Sequence, residues 1–181
     1  MARVLGVDPG FASFGWCVMD LRRDGETLLS VGVIRTQKDN RAQHVLATDD
    51  NMVRARQIYA ELSGLCETYG IRAIAAEAMS FPRSSSVAAK MAMSWGVLAA
   101  LSESRDLPVV HASPQTVKKL VAGDRSASKE DVASAVCAKF PGSPLDGFYA
   151  DTPKGQQEHG FDAIAVLLAC MGSEVLRMAR G

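Results

Sequence analysis

Net charge is the first thing this sequence lacks. Twenty lysines and arginines balance twenty aspartates and glutamates, for a formal net charge of zero at pH 7. A neutral chain exerts no long-range pull on nucleic acid or on an acidic membrane, so any polyanion site must be a local patch. Paired cysteines are missing too. Cys17, Cys66, Cys137 and Cys170 lie far apart with no CxxC spacing, which fits neither a structural zinc site nor a disulfide framework. Each falls in an apolar stretch, where a free thiol packs as a small hydrophobe, and free thiols point to a reducing compartment. No uncharged apolar run approaches the roughly 18 residues of a membrane span. The opening run Val4-Leu5-Gly6-Val7 is too short for the core of a signal peptide. A cytoplasmic protein without a membrane partner is the expectation. There is no internal repeat and no low-complexity tract.

What remains is an ordinary globular composition, 48% hydrophobic and 22% charged, unlike that of a disordered chain. At about 150 residues per domain, the 181 residues predict a single domain over residues 1–181, with a core large enough to need no staple.

The apolar pattern orders the elements. Val4–Val7 reads as a buried strand closed by the Asp8-Pro9-Gly10 turn. Phe14–Met19 and Thr27–Ile34 follow as strands around Asp24-Gly25, a pair suited to a tight hairpin. Gln37–Asn51 is polar and aperiodic, a loop. A helix then carries Ala55, Ile58, Leu62, Leu65 and Tyr69 on one face and stops at Gly70. Ile71–Ala76 is a strand ending at Glu77. An Ala/Met-rich helix runs from Val87 to about Ser104, Leu107–Ala112 is a fifth strand, and Ser113-Pro114 caps a short helix through Leu120. Ser128-Lys129-Glu130-Asp131 opens another helix with a weaker capping box, Asp standing in place of Glu. Pro141–Gln157, rich in proline and glycine, reads as a loop or lid before a last helix from Gly160 to Ala179. The order βββ-α-β-α-β-α-α-α predicts an α/β fold: a mixed five-stranded sheet, three antiparallel strands then parallel additions, flanked by helices.

Two acids stand at the carboxyl ends of apolar strands, Asp8 and Glu77. If those strands are neighbours, both carboxylates leave the same sheet edge, the usual place for a site in open α/β sheets. Such a pair repels itself unless it holds a cation, and hard oxygen donors suit Mg²⁺ or Mn²⁺. Singly, Asp8 could merely begin a turn and Glu77 could be an exposed strand end. His159 and Asp162, three apart at the expected start of the last helix, share a face. Asp162 alone could be a first-turn acid favoured by the helix dipole, and His159 a surface histidine. Together the four supply metal ligands from separate elements, the set that a two-metal phosphodiester hydrolase needs.

These residues resemble a known family. Leu5-Gly6-Val7-Asp8-Pro9-Gly10 is similar to the first motif of the RuvC-type Holliday junction resolvases, and Ala75-Ala76-Glu77 to their second. Pro114–Lys119 through Ser126–Lys129 resembles the family's basic segment, and His159-Gly160-Phe161-Asp162-Ala163 its last motif. The resemblance implies an RNase H-like fold, a homodimer and paired nicks across a four-way DNA junction, and it leaves open a branch-migration motor as partner. It implies that Asp8, Glu77, His159 and Asp162 hold two Mg²⁺ ions, with Mn²⁺ as the other candidate. Lys118 and Lys129 fall on the family's functional lysines, which the resemblance places near the scissile phosphate or the adjacent strand. Phe81 is the candidate for an aromatic side chain that stacks at the opened junction. A bacterial cell or a phage-infected host is the implied setting.

Because the overall charge is zero, local bases must grip DNA: Arg83, Lys90, Lys118, Lys119, Arg125 and Lys129. The Met91, Met93, Trp95 and Val97 stretch reads as core or dimer interface. Three other functions compete: a broader debranching nuclease acting on flaps, forks and three-way junctions, a phosphotransferase of the actin/sugar-kinase type, and a catalytically silent branched-DNA binding module.

Overall fold

The computed structural model describes residues 2–38, 46–79, 83–142 and 144–180. Three long strands come first: β1 (Ala2–Asp8), β2 (Ser13–Arg22) and β3 (Gly25–Arg35). Helix α1 (Ala47–Tyr69) then leads to β4 (Ile71–Glu77), and α2 (Ser85–Arg105) to β5 (Val109–Ala112). The rest is helical: α3 (Pro114–Val121), α4 (Lys129–Lys139), α5 (Leu145–Asp151), α6 (Lys154–Cys170) and α7 (Glu174–Arg180). The five strands form one sheet in the order β3-β2-β1-β4-β5. β1 pairs antiparallel with β2 and parallel with β4, β2 antiparallel with β3, and β4 parallel with β5. The mixed sheet predicted from the element order is the one observed.

Side chains alternate between the two faces of a strand, and here that alternation divides the core. Leu5 and Val7 of β1, Phe14 and Val18 of β2, and Ile74 and Ala76 of β4 pack against Ile58 and Leu62 of α1 and Leu98 and Leu101 of α2. Val4, Cys17, Met19, Ala73 and Ala75 face the other way, onto Val117 of α3, Val132 and Val136 of α4, and the apolar run of α6 from Phe161 to Cys170. Asp8 and Glu77 continue the second series, two residues beyond Gly6 and Ala75. Both carboxylates therefore leave the sheet on the α6 side.

Helix α6 lies close against the sheet because its seats are small. A Cβ at Gly6 would sit 2.5 Å from the carbonyl oxygen of Ala163 and 2.9 Å from Cβ of Leu167. The Cys17 thiol donates to the same Ala163 carbonyl at 3.4 Å. Helix ends follow local chemistry: Gly70 closes α1 in the left-handed conformation at φ 61°, and Ser128 with Asp131 forms the reciprocal capping box of α4.

Three expectations need correction. Pro141–Gln157 is not an open loop: within it α5 buries Leu145 and Phe148 against the core, so apolar anchoring outweighs the glycines and prolines. The last helix begins at Lys154, directly after Pro153, and it ends at Cys170 before a separate α7. His159 and Asp162 thus lie inside α6 rather than at its start, and the helix dipole does not account for Asp162. Finally, α1 already begins at Ala47, within the stretch read as a loop. Among the described residues no helix is long and apolar enough to cross a membrane.

Candidate active site

The carboxyl-terminal edge of β1 and β4 opens into a cavity of about 340 Å³. Asp8, Glu77, His159 and Asp162 all line it, together with Lys118 and Lys129. Asp8 and Glu77 are brought together by the parallel register, in which Val7 faces Ala76. Residues 159 and 162 arrive one helical turn apart on α6, which crosses β1 and β2. That crossing is fixed at Gly15, the partner of Asp8 across the antiparallel ladder, where a Cβ would collide with the backbone of His159.

The polar contacts are specific. Nδ1 of His159 lies 2.8 Å from Oδ2 of Asp8. Nζ of Lys129, at the start of α4, donates to Oε2 of Glu158 at 2.7 Å and to Oδ2 of Asp162 at 3.4 Å. The hydrogen bond to Asp8, with the charges of Asp8, Glu158 and Asp162, holds the His159 imidazolium above its ordinary range, against burial that opposes it. Burial pushes the Glu77 carboxyl up to about 7, and the neighbouring charges of Asp8 and Asp162 add to that rise while Lys129 opposes it. Burial also raises Asp162, with Lys129 pulling the other way. Burial works against the Lys129 ammonium, yet Glu158 and Asp162 outweigh it and hold that group above its usual value.

Three carboxylates thus share a partly buried space, where the charges of Asp8 and Asp162 make Glu77 harder to ionise and that of Asp8 does the same to Asp162. In this arrangement a histidine and a lysine supply the compensating charge. The donor set fits a hard divalent cation, since carboxylate oxygens and a neutral imidazole are suitable ligands. Among the described residues, no three histidine, cysteine, aspartate or glutamate side chains are gathered closely enough to hold an ion as they stand. The four sequence candidates wall one cavity without forming a closed shell.

Other candidates divide. Lys118 lines this cavity, whereas Lys119 lines a separate concavity with Ser113, Gln115, Thr116, Leu120 and Arg125. Arg83 and Lys90 are exposed. Phe81 lies outside the described residues. The sequence reading missed Glu158 as the partner of Lys129, which no residue spacing signals because α4 and α6 meet only in the fold. Met91 and Trp95, read as core or dimer interface, both line the cavity wall, where Trp95 meets His111 edge-on at 6.3 Å between ring centroids; Trp95 packs against the core as well. Met93 and Val97, on the same helix, face a groove shared with Ala55 and Tyr59 of α1.

Comparison with known proteins identifies the family. The family model described as "Crossover junction endodeoxyribonuclease RuvC" matches residues 4–140. The chain belongs to the RuvC family. It is 31% identical over 133 residues to RuvC of Pseudothermotoga lettingae, covering 74% of this chain and 76% of that protein. It is 35% identical over 144 residues to RuvC of Pelodictyon phaeoclathratiforme, covering 78% and 70%. Among solved structures it is similar to T. thermophilus RuvC in complex with a Holliday junction substrate. That similarity has a TM-score of 0.75 and 25% identity, over 99% of this chain and 98% of that one. The yeast mitochondrial Holliday junction resolvase shares the fold, with a TM-score of 0.69 at 18% identity over 99% and 82% of the two chains. The segment matched by the RuvC family model ends before His159 and Asp162, so their candidacy rests on the geometry described above.

Proposed function

We propose that this RuvC-family nuclease, acting as one domain over its whole length, resolves four-way DNA junctions by divalent-metal-dependent phosphodiester hydrolysis. Asp8, Glu77, His159 and Asp162 would hold the metal, with two Mg²⁺ ions as the expected complement and Mn²⁺ as a substitute. The observation that carries this reading is the convergence of Asp8 and Glu77, at the ends of adjoining parallel strands, on one cavity shared with His159, Asp162, Lys118 and Lys129.

When bound, such ions supply an activated water and a stabilised leaving oxygen. The chain's own groups do the rest. Asp8 orients the His159 ring through Nδ1, and once the imidazole loses its extra proton the Nε2 lone pair is available as a ligand. Lys118 and Lys129 line the cavity with compact positive charges, suited to a phosphate that enters it. Glu158 holds Lys129 beside Asp162 rather than letting it neutralise that carboxylate alone. Water attack breaks the P–O3′ bond, leaving a 5′-phosphate and a 3′-hydroxyl.

Paired nicks require two sites, and we assign the second to another copy of the chain, docked through α2. Val87 on that helix is 45% exposed, and the same helix carries Met93, Gly96, Val97 and Ala100 along an apolar groove. Such a face is unfavourable in water unless it is covered.

The test is Asp8→Asn assayed on four-way, three-way, flap and linear duplex DNA with Mg²⁺, Mn²⁺ or EDTA. The variant should bind the four-way junction and cleave none of the substrates. The parent should nick the four-way junction preferentially, and only with a divalent ion. Equal cleavage by Asp8→Asn and parent would overturn the mechanism, while comparable rates on flaps and three-way junctions would replace junction resolution with general debranching.

A further inference from the structure

The turn that carries Asp8 is held from behind by a buried network that none of the motifs includes. After β1 the chain runs through Pro9, Gly10 and Phe11 to Ala12 before β2 begins. The Gly10 amide donates to the Asp8 carbonyl at 2.8 Å. Thr36, just beyond β3, then clamps the far side of the turn. Its amide donates to the Ala12 carbonyl at 3.0 Å, and its hydroxyl donates to the Phe11 carbonyl at 2.6 Å. Arg54, from the second turn of α1, completes the clamp. Its Nε donates to Oγ1 of Thr36 at 2.9 Å, and its guanidinium lies 4.5 Å from the centre of the Phe11 ring. Asp50, one turn back on the same helix, faces the guanidinium at 3.6 Å. Thr36, Asp50 and Arg54 are 3%, 8% and 7% exposed.

Burying a guanidinium and a carboxylate is unfavourable compared with apolar packing of the same volume, so a buried ion pair is a poor device for stability alone. This one sits at the catalytic edge of the sheet rather than in its middle. Arginine suits the place because its planar head donates, pairs and stacks at once, which the lysine ammonium does not. The Thr36 hydroxyl joins the two elements: it donates to the turn and accepts from α1.

We propose that Arg54 is a positioning residue for Asp8. Acting through Thr36 and Phe11, it fixes the Asp8–Gly10 turn so that the Asp8 carboxylate stays on the α6 side, facing Glu77 and His159. The proposal rests on the reading above, in which Asp8 helps to hold a divalent ion.

The experiment compares full-length Arg54→Lys and Thr36→Val with Ile58→Val, a core substitution one turn further along the same helix that leaves the hydrogen bonds of Thr36 and Arg54 in place. Mn²⁺ binding is titrated by calorimetry without DNA, thermal melting is recorded, and junction cleavage is measured as a function of Mn²⁺. Arg54→Lys and Thr36→Val should each raise the Mn²⁺ midpoint about tenfold, the usual effect of losing a group that orients a metal ligand. The KM for junction should stay near the parent value, and excess Mn²⁺ should restore much of the rate. Ile58→Val should lower the melting temperature by a similar amount and leave the midpoint unchanged. Midpoints for the Arg54 and Thr36 variants no higher than for Ile58→Val would overturn the role of Arg54. Mn²⁺ binding that is the same in the parent and in Asp8→Asn would instead remove the premise, so the two failures are distinguishable.

Discussion

Gly15 and His159 are in backbone contact: the position a Cβ would occupy on Gly15 is already filled by the carbonyl of His159. Gly15 is also the ladder partner of Asp8. One glycine therefore sets how closely α6 approaches β2, and so where the imidazole stands relative to the carboxylate. Gly15→Ala should push α6 away at that point. Overpacking of this kind destabilises by about 1–3 kcal/mol, and a shift of about 1 Å at a reacting group reduces the rate on the order of 100-fold. Urea melts and junction-nicking rates on the same preparation should show a loss of activity much larger than the loss of folded protein. A rate that falls only in proportion to the folded fraction would detach Gly15 from the site.

The titrations of His159 and Glu77 act in the same direction on stability. His159 is raised above its ordinary value in the folded state, so its contribution is complete below about pH 6.5 and is lost as pH rises through the folded value. Glu77 titrates at about 7 when folded instead of 4.5, so the unfolded chain ionises first and stability falls between those two values. The metal-free protein should accordingly melt at progressively lower temperature from pH 5 to pH 8. A divalent cation should reverse that trend at the alkaline end, because it replaces the protons. Cleavage at fixed, subsaturating metal should rise over the same interval. Melting curves with EDTA and with Mg²⁺ across that range give the answer, and a metal-free melting temperature that climbs with pH would contradict it.

Lys129 has two seats, Glu158 at 2.7 Å and Asp162 at 3.4 Å. Removing the first with Glu158→Gln leaves the ammonium to compete with metal for Asp162. Exposed pairs of this kind contribute up to about 1 kcal/mol, so the metal requirement should rise about fivefold at most, with little change in the rate at saturation. Lys129→Met should behave differently, cutting the saturated rate about 100-fold, as loss of a charge at the reacting phosphate does. Metal titrations of the two variants separate the roles.

Lys118 and Lys119 are neighbours in sequence but line different concavities. Lys119→Gln should weaken binding to every DNA, reduce the dependence of log K on log salt by about one unit, and leave the maximal rate intact. Lys118→Gln should lower the maximal rate. Filter binding at several salt concentrations, paired with single-turnover cleavage, distinguishes them.

Much of the site was legible because it follows from period two. The runs before Asp8 and Glu77 are short and apolar, which marks strand ends, and alternation then forces both acids onto one face. The parallel pairing of β1 with β4 is what makes them neighbours; the order of elements was enough to expect parallel strands, but it left their adjacency open. What stayed hidden depends on packing between distant elements. Nothing in the sequence around Gly15 shows that α6 rests there, and nothing near Thr36 points to Arg54. Helix α5 was obscured because Pro141, Pro144 and Pro153 bracket it, whereas Leu145 and Phe148, with Tyr149 against Phe161, hold it down. The apolar residues of α2 gave no clear face, so Trp95 and Met91 could not be told apart from Met93 and Val97.

The central claim is that Asp8, Glu77, His159 and Asp162 hold the ions that carry the reaction. Anomalous scattering from crystals grown with Mn²⁺ tests it most directly. A peak inside the cavity, within ligand distance of Asp8 and at least two of the other three side chains, is the predicted result. Crystals of cleavage-competent protein with no Mn²⁺ in that cavity, or with Mn²⁺ bound only elsewhere, would contradict it.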